Sequence, residues 1–211
     1  MLKTILLFLF AIGAAHAQSQ CPQFYPHEID VPNSVELCNT FYAVKYDTTR
    51  NEPILSAEKF RAGGSVDRSN NFHPDPRLDK STRAEVSDYL HSGYDQGHLT
   101  PAADATTIEE MRDTFLLSNM TPQQPTLNRQ AWRLLEIQVR KLNPDYVVTG
   151  AIYSDTPQTI GEHKVPVPVG YYKIIWKGGK AQAWGANNYE SAPVTETDIK
   201  QIEVETGLKF E

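Results

Sequence analysis

Apolar positions along the chain fall into short runs separated by polar, glycine- and proline-marked breaks, and each run predicts an element. The first, Ile5 to Ala15, is almost unbroken; it follows Met1-Leu2-Lys3 and ends at Ala15-His16-Ala17. A short positive start, an apolar stretch and small residues where a signal peptidase reads predict a secretory leader over residues 1–17, cleaved after Ala17. The run is too short to cross a hydrocarbon core ~30 Å thick as a helix. Phe41 to Tyr46 reads as a strand, with a turn near Thr49-Arg50-Asn51 and a second short strand around Ile54-Leu55. Residues 62–82 hold Pro74 and Pro76 among polar side chains and predict a long irregular loop, a type of segment that often serves function. Residues 83–90 predict a short helix, and the stretch to Leu99 a strand that ends near His98. Thr114 to Met120 predicts a buried strand stopped by Thr121-Pro122. Asn128 to Leu142 carries Ala131, Leu134, Leu135, Gln138 and Leu142 at helical spacing, with Asn143-Pro144 as the stop. Tyr146 to Gly150 predicts a strand. Tyr171–Trp176 and Lys180–Trp184, joined by Lys177-Gly178-Gly179, predict a hairpin. Thr197 to Thr206 predicts a last helix closed by Gly207. Strands and helices mix without a βαβ rhythm, which predicts an α+β fold, and the length predicts one domain over residues 18–211.

Composition narrows the class. With 40% hydrophobic and 22% charged residues in 211, the chain is not fibrous, collagen-like or disordered. A net charge of -6, made more acidic by loss of Lys3 with the leader, excludes a polybasic binder that works by bulk attraction. It leaves room for a local basic cleft. Two cysteines are too few for a disulfide scaffold or a zinc site. In an oxidising compartment Cys21 and Cys38 predict one disulfide stapling the N-terminal arm, contributing on the order of 3 kcal/mol in the chain-entropy model. The leader implies a secreted or periplasmic protein, with no membrane contact after cleavage.

The candidate chemistry lies between Asp95 and Arg140. Asn128, Trp132, Glu136 and Arg140 recur every four residues and so share one slowly drifting stripe of the helix. Two readings stand. An amide, a carboxylate and a guanidinium on one stripe can serve a hydrated metal and a phosphate together. Alternatively the stripe is a solvated face, with Asn128 a helix cap and Glu136–Arg140 an ordinary pair. Trp132 fits either a base stack or core packing. Upstream, Asp95-Gln96-Gly97-His98 places a histidine after a glycine at a strand end. Asn119 lies nine residues before Asn128, within Phe115-Leu116-Leu117-Ser118-Asn119-Met120-Thr121-Pro122-Gln123. Asp67-Arg68-Ser69-Asn70-Asn71-Phe72 sits in the long loop. His91, seven before His98, is a further candidate, and Arg77, Lys80, Arg83, Arg112, Arg129 and Arg133 are candidates for a backbone-tracking groove.

In order and spacing these motifs resemble the DNA/RNA non-specific endonucleases of the ββα-metal type, the family of endonuclease G and secreted bacterial nucleases. The resemblance extends from the Phe41–Tyr46 strand through Val165-Pro166 and Tyr172-Lys173-Ile174-Ile175 to Thr206-Gly207-Leu208, most of the chain without its leader. It implies a ββα-metal (His-Me finger) catalytic core. It implies that His98 is the general base, Asn128 the direct metal ligand and Glu136 the carboxylate that holds the metal's waters. Arg68 and Arg140 match arginines near the scissile phosphate, and Asn119 a supporting polar residue. The departure is Gln96, where the family usually has arginine; it keeps hydrogen-bonding capacity and drops a positive charge beside the site.

The chemistry agrees with that assignment. A neutral imidazole, with an ordinary pKa near ~6.5, suits a general base. Mg²⁺ prefers oxygen ligands and keeps several waters, so one amide oxygen with a nearby carboxylate suits it, and Mn²⁺ is expected to substitute. None of these groups reads a base edge, which predicts little sequence specificity. The resemblance implies DNA and RNA as substrates and 5′-phosphate products. Two other functions fit the same residues: a catalytically weak extracellular nucleic-acid-binding protein on this fold, and a phosphodiesterase for small nucleotides.

Overall fold

Stretches with apolar and aromatic residues on alternate positions pair into one antiparallel sheet that organises the chain. The computed structural model describes residues 18–210 apart from Gly63 and Ser65; the leader at residues 1–17 lies outside the described residues. In chain order the elements are β1 (Val35–Cys38), β2 (Tyr42–Asp47), β3 (Glu52–Lys59), α1 (Val86–Tyr89), β4 (Asp95–His98), α2 (Ile108–Thr114), β5 (Met120–Gln123), α3 (Arg133–Leu142), β6 (Tyr146–Ile152), β7 (Thr159–Ile160), β8 (Val165–Pro166), β9 (Gly170–Lys177), β10 (Lys180–Asn187), β11 (Thr195–Thr197) and α4 (Ile199–Thr206). Seven strands form the main sheet in the order β1-β2-β3-β6-β9-β10-β11, every neighbouring pair antiparallel. The β4–β5 ribbon and the helix after it are inserted between β3 and β6, giving the ββα unit of an α+β fold.

Strand alternation assigns the two faces of the sheet. Leu55, Ala57, Val148, Tyr172 and Ile174 point to one side, where they pack with Phe24, Tyr25, Ile29, Ile202 and Phe210 from the N-terminal arm and α4. Val147, Tyr171, Ile175 and Trp184 point to the other side, under Leu127, Trp132, Leu135 and Val139 of the helical segment. On that second side the middle of the sheet is polar: Ser56 and Glu58 of β3, Thr149 of β6 and Lys173 of β9 are all buried. Ser56 lies opposite Thr149 and Thr149 opposite Lys173, so the row crosses three strands. A disulfide joins Cys21 to Cys38, with Cα atoms 6.0 Å apart, and ties the arm to the end of β1.

Several elements differ from the expectation. The strand near Ile54-Leu55 runs from Glu52 to Lys59, because the buried polar Ser56 and Glu58 break the apolar alternation that would reveal its length. The segment expected as a strand over Thr114–Met120 is instead the end of α2 and a short 3₁₀ turn; the strand starts at Met120 and contains Thr121-Pro122. Pro122 is tolerated because β5 pairs on one side only, with β4. Helix α2 was not expected; its cap is local, with Thr107 Oγ1 accepting from the Glu110 amide at 3.1 Å. The expected Asn128–Leu142 helix is present, but its start is a π-helical turn over Leu127–Trp132. Leu134 faces solvent although it sits at an apolar position of the helical pattern.

Gly150 is required where β6 crosses Tyr172: a Cβ there would lie 2.1 Å from the tyrosine Cζ and 2.2 Å from its hydroxyl oxygen. Gly150→Ala is therefore expected to destabilise the protein by about 1–3 kcal/mol through overpacking, read as a lowered thermal midpoint. An unchanged midpoint would mean that the ring can move aside at no cost.

Candidate active site

The ββα unit begins with a two-stranded ribbon that the main sheet holds from below. Tyr171 Oη donates to the Pro122 carbonyl at 3.1 Å and accepts from Thr121 Oγ1 at 3.0 Å, so β5 is anchored to β9. Gly97 lets β4 lie close under Gln123, whose Oε1 would be 2.4 Å from a Cβ at that position. His98 follows directly. Its ring meets Phe115 edge-on at 5.1 Å and Phe72 at 5.9 Å between centroids. Nε2 is buried without a hydrogen bond, which leaves Nδ1 as the nitrogen available to the cleft. Behind the strand, Asn119 is fully buried and uses its whole amide on backbone: it accepts from Thr100 N at 2.9 Å and donates to Thr100 O and Thr114 O at 2.9 and 3.0 Å.

The helical segment supplies the opposite wall. Asn128 Nδ2 donates to Asp95 Oδ2 at 2.9 Å, so Asp95 in β4 orients the amide of Asn128. Asp95 also pairs with Arg129, whose Nε lies 2.8 Å from Oδ2. The π turn winds fewer degrees per residue than an α-helix and offsets the drift of an every-fourth-residue stripe. As a result Asn128, Glu136 and Arg140 line one cleft of about 390 Å³, together with Arg68, Gln96, His98, Arg129 and Arg133. Trp132 does not join them; it is buried, 5.6 Å from the Tyr171 ring between centroids. Arg140 Nη1 lies 3.2 Å from Asp104 Oδ1. Arg68 reaches in from the long loop, its guanidinium 5.1 Å from the centroid of Phe115.

Burial sets the electrostatics of the cleft. Desolvation by the surrounding rings, helped by the Arg68 charge, pushes the His98 imidazole down to about 3, so the ring is neutral. Desolvation lifts Glu136 to about 7 against the opposing charge of Lys173 beneath it. Lys173 is itself buried, donates to Thr149 Oγ1 and lies 5.6 Å from the Trp132 ring centroid. Burial pushes its ammonium down, while Glu136, Glu58 and Asp104 oppose that shift.

The structure therefore brings His98, Asn128, Glu136, Arg68 and Arg140 to one cleft, with Gln96 on its wall. Asn119 stands behind it and presents no free polar atom to it. Asn128 is not a helix cap, since its amide N–H already donates to Gln124 O at 2.9 Å. His91 is exposed and does not line the cleft. Among the other arginines, Arg129 and Arg133 line the cleft, whereas Arg77 is bound to Asp75 and Arg83 to Glu85. Sequence reasoning missed Glu58, Asp104 and Lys173. For Glu58 and Lys173 the signal was a charged residue inside a strand, as in Tyr171–Trp176; Asp104 ends a turn and had none.

A sequence profile of the DNA/RNA non-specific endonuclease family matches residues 22–211. The chain belongs to that family. It is 33% identical over 182 residues to Nuclease C1 of Cunninghamella echinulata var. echinulata, covering 74% of this chain and 72% of that one. It is 31% identical over 198 residues to mitochondrial endonuclease G of Bos taurus, covering 80% of this chain and 66% of that one. Against mitochondrial nuclease EXOG of Danio rerio it spans 59% of the relative's length. Among solved structures, the fold is similar to a chain of the EndoG/EndoGI complex, with a TM-score of 0.80, 27% identity, and coverage of 92% of this chain and 91% of that one.

The cleft of this family member suits a hard, hydrated cation. Asn128 donates its nitrogen side to Asp95, leaving the amide oxygen as the donor for the cleft, and Glu136 adds carboxylate oxygens on the same wall. No cysteine lines the cleft. Oxygen donors with space for water suit a hard cation better than a soft one.

These shifts have opposite consequences for stability. Between pH 6.5 and about 3 the unfolded chain protonates His98 and the folded chain does not, so this contribution is lost as pH falls through that window. Between pH 4.5 and about 7 the folded chain keeps a proton on Glu136 that the unfolded chain gives up, so that contribution is lost as pH rises. In metal-free protein the His98 ring signal in an NMR titration is expected to stay flat from about pH 8 to about pH 5, below the ordinary histidine midpoint of ~6.5. A midpoint near ~6.5 would show that water solvates the ring.

Proposed function

We propose that the protein is a secreted or periplasmic, Mg²⁺-dependent endonuclease that hydrolyses phosphodiester bonds of DNA and RNA with little sequence preference and leaves 5′-phosphates. The observation that carries this reading is the convergence on one cleft of a neutral imidazole, an oriented amide, a carboxylate and two guanidinium groups. The names of its nuclease relatives support the class of reaction. The apolar run before Ala17 supports export after removal of residues 1–17, and no helix of the described residues is long and apolar enough to cross a membrane.

In this mechanism His98 takes the proton of the attacking water at Nδ1. A phosphodiester bound beside Arg68 offsets the lesser of the two causes that depress the ring, the Arg68 charge that adds to desolvation, and so raises its basicity. Arg68 and Arg140 hold non-bridging oxygens with charge-assisted hydrogen bonds. Arg129 and Arg133 on the rim follow the backbone, a contact that weakens with salt. Asn128 would be the direct ligand of Mg²⁺, with Glu136 accepting hydrogen bonds from the ion's waters. When bound, the cation polarises the phosphate and stabilises the departing 3′-oxygen; Mn²⁺ is expected to substitute. Asn119 supports the site from behind by tying Thr100 and Thr114 together. The roles given to Arg68, Arg140, Arg129 and Arg133 are all contacts to the phosphate backbone, in keeping with sequence-independent cleavage.

Plasmid DNA and total RNA are expected to be degraded with Mg²⁺ or Mn²⁺ and spared with chelator. His98→Ala is expected to reduce the rate about 10²–10⁴-fold while the protein still binds the cation. Intact substrate at high enzyme concentration, with either cation, would leave a binding protein; a near-normal rate in the variant would remove His98 as the base. Activity confined to small diesters would favour the phosphodiesterase.

Gln96 lines the cleft as a neutral residue. Restoring a positive charge with Gln96→Arg is expected to give equal or higher activity, because the phosphate gains a counter-charge at close range. A clear loss in the same digestion would assign the glutamine a task of its own.

A further inference from the structure

Beneath the cleft lies a set of buried charges that the mechanism above does not use. Asp104 and Glu58 are both buried, close enough that the Asp104 charge adds to burial in pushing the Glu58 carboxyl up. Lys173 is buried next to them on β9. Pairing buried carboxylates is a poor way to stabilise a fold, since each loses hydration and the two repel. One contact gives the arrangement a purpose: Asp104 Oδ1 lies 3.2 Å from Arg140 Nη1.

Arg140 sits near the end of α3 and is only half-buried, so its long side chain has many rotamers open to it. Asp104 belongs to a different part of the unit. It ends the turn Ala102–Asp104, which continues directly from β4 through Leu99, Thr100 and Pro101. Its amide donates to Pro101 O at 3.1 Å, and Asn119 holds both the N–H and the carbonyl of Thr100 in the same stretch. The segment that carries His98 thus also carries the carboxylate that grips Arg140. Fixing one against the other sets the spacing between base and phosphate-binding arginine, a spacing to which rate is steeply sensitive.

We infer that Asp104, backed by Glu58, is a positioning residue that locks the Arg140 guanidinium in register with His98 for catalysis. The inference rests on the proposed nuclease function and names a residue for which that function makes no provision. Asp104 does not touch the phosphate; it acts through Arg140.

The test is a mutant cycle on the full protein, with kcat and KM measured on a defined duplex oligonucleotide in Mg²⁺ and the melting temperature measured alongside. Asp104→Ala is expected to lower kcat roughly tenfold or more with KM changed less than about threefold, the pattern of an interaction made in the transition state. Asp104→Asn keeps an oxygen that accepts from Arg140 and is expected to fall between wild type and Asp104→Ala. Its melting temperature should fall less than that of Asp104→Ala, because the amide keeps a hydrogen bond to Arg140 while only the charge facing Arg140 and Lys173 is lost. The double variant Asp104→Ala/Arg140→Ala should be no slower than Arg140→Ala, since both steps remove one device. A kcat for Asp104→Ala within about twofold of wild type, or losses that multiply in the double variant, would overturn the inference. So would a loss of kcat in Asp104→Asn that vanishes once the rate is corrected for the fraction of protein folded at the assay temperature. If Asp104→Ala does not fold, the cycle is run with Asp104→Asn, which must then lie at least about threefold below wild type. An active wild type with unaffected Asp104 variants overturns this inference alone; a wild type that cleaves nothing overturns the reading of the site.

Discussion

The structure depends on the burial of charge in the middle of a sheet. Lys173 is almost inaccessible to solvent on a strand whose neighbours are tyrosine, isoleucine and tryptophan. An ammonium in that position is tolerable only if hydrogen bonds and opposite charges surround it. Thr149 supplies the first, and Glu136, Glu58 and Asp104 the second. This one requirement fixes the character of the helix-facing side. The outer parts of that face are apolar and hold Trp132, Leu135 and Val139. Its centre cannot be sealed by hydrocarbon, and above it the ββα unit leaves a cleft instead of a closed core.

The unit itself is locked by short polar contacts rather than by its own bulk. Asp95 reaches from β4 to Asn128, Asn119 ties the segment after His98 to the end of α2, and Tyr171 clamps β5 to the sheet. Each contact joins residues far apart in the chain and leaves few buried polar atoms of those side chains unused, which makes the geometry specific. The aromatic rings against His98 shield one side of the imidazole, and that desolvation, with the Arg68 charge, keeps it neutral.

Much of this was legible in the sequence wherever a local signal dominates. The β9–β10 hairpin declares itself through Lys177-Gly178-Gly179, the end of α3 through Asn143-Pro144, and α4 through Gly207. The spacing from His98 through Asn128 to Glu136 and Arg140 marked the residues that converge on the cleft. Reading failed where tertiary context overrides local preference. Thr114–Met120 is apolar enough for a strand, yet Phe115 and Leu117 are buried by packing around a turn. The length of β3 was hidden because its polar residues point inward, and Leu134 was misassigned because the helix face is set by what it packs on.

By itself, the sequence determined which chemistry-bearing groups the chain owns, their order, and the four-residue spacing of Asn128, Trp132, Glu136 and Arg140. It also determined membership of a family, through motifs spread across the chain. Only the tertiary structure decided the states of those groups and their partners. Neutrality of His98, the lift on Glu136, the rotation of Trp132 into the core and the grip of Asp104 on Arg140 all depend on burial and on neighbours distant in sequence. Local propensity acts over a few residues, whereas desolvation and charge pairing act across space. Composition showed an acidic chain, and folding collected four of its arginines around one cleft.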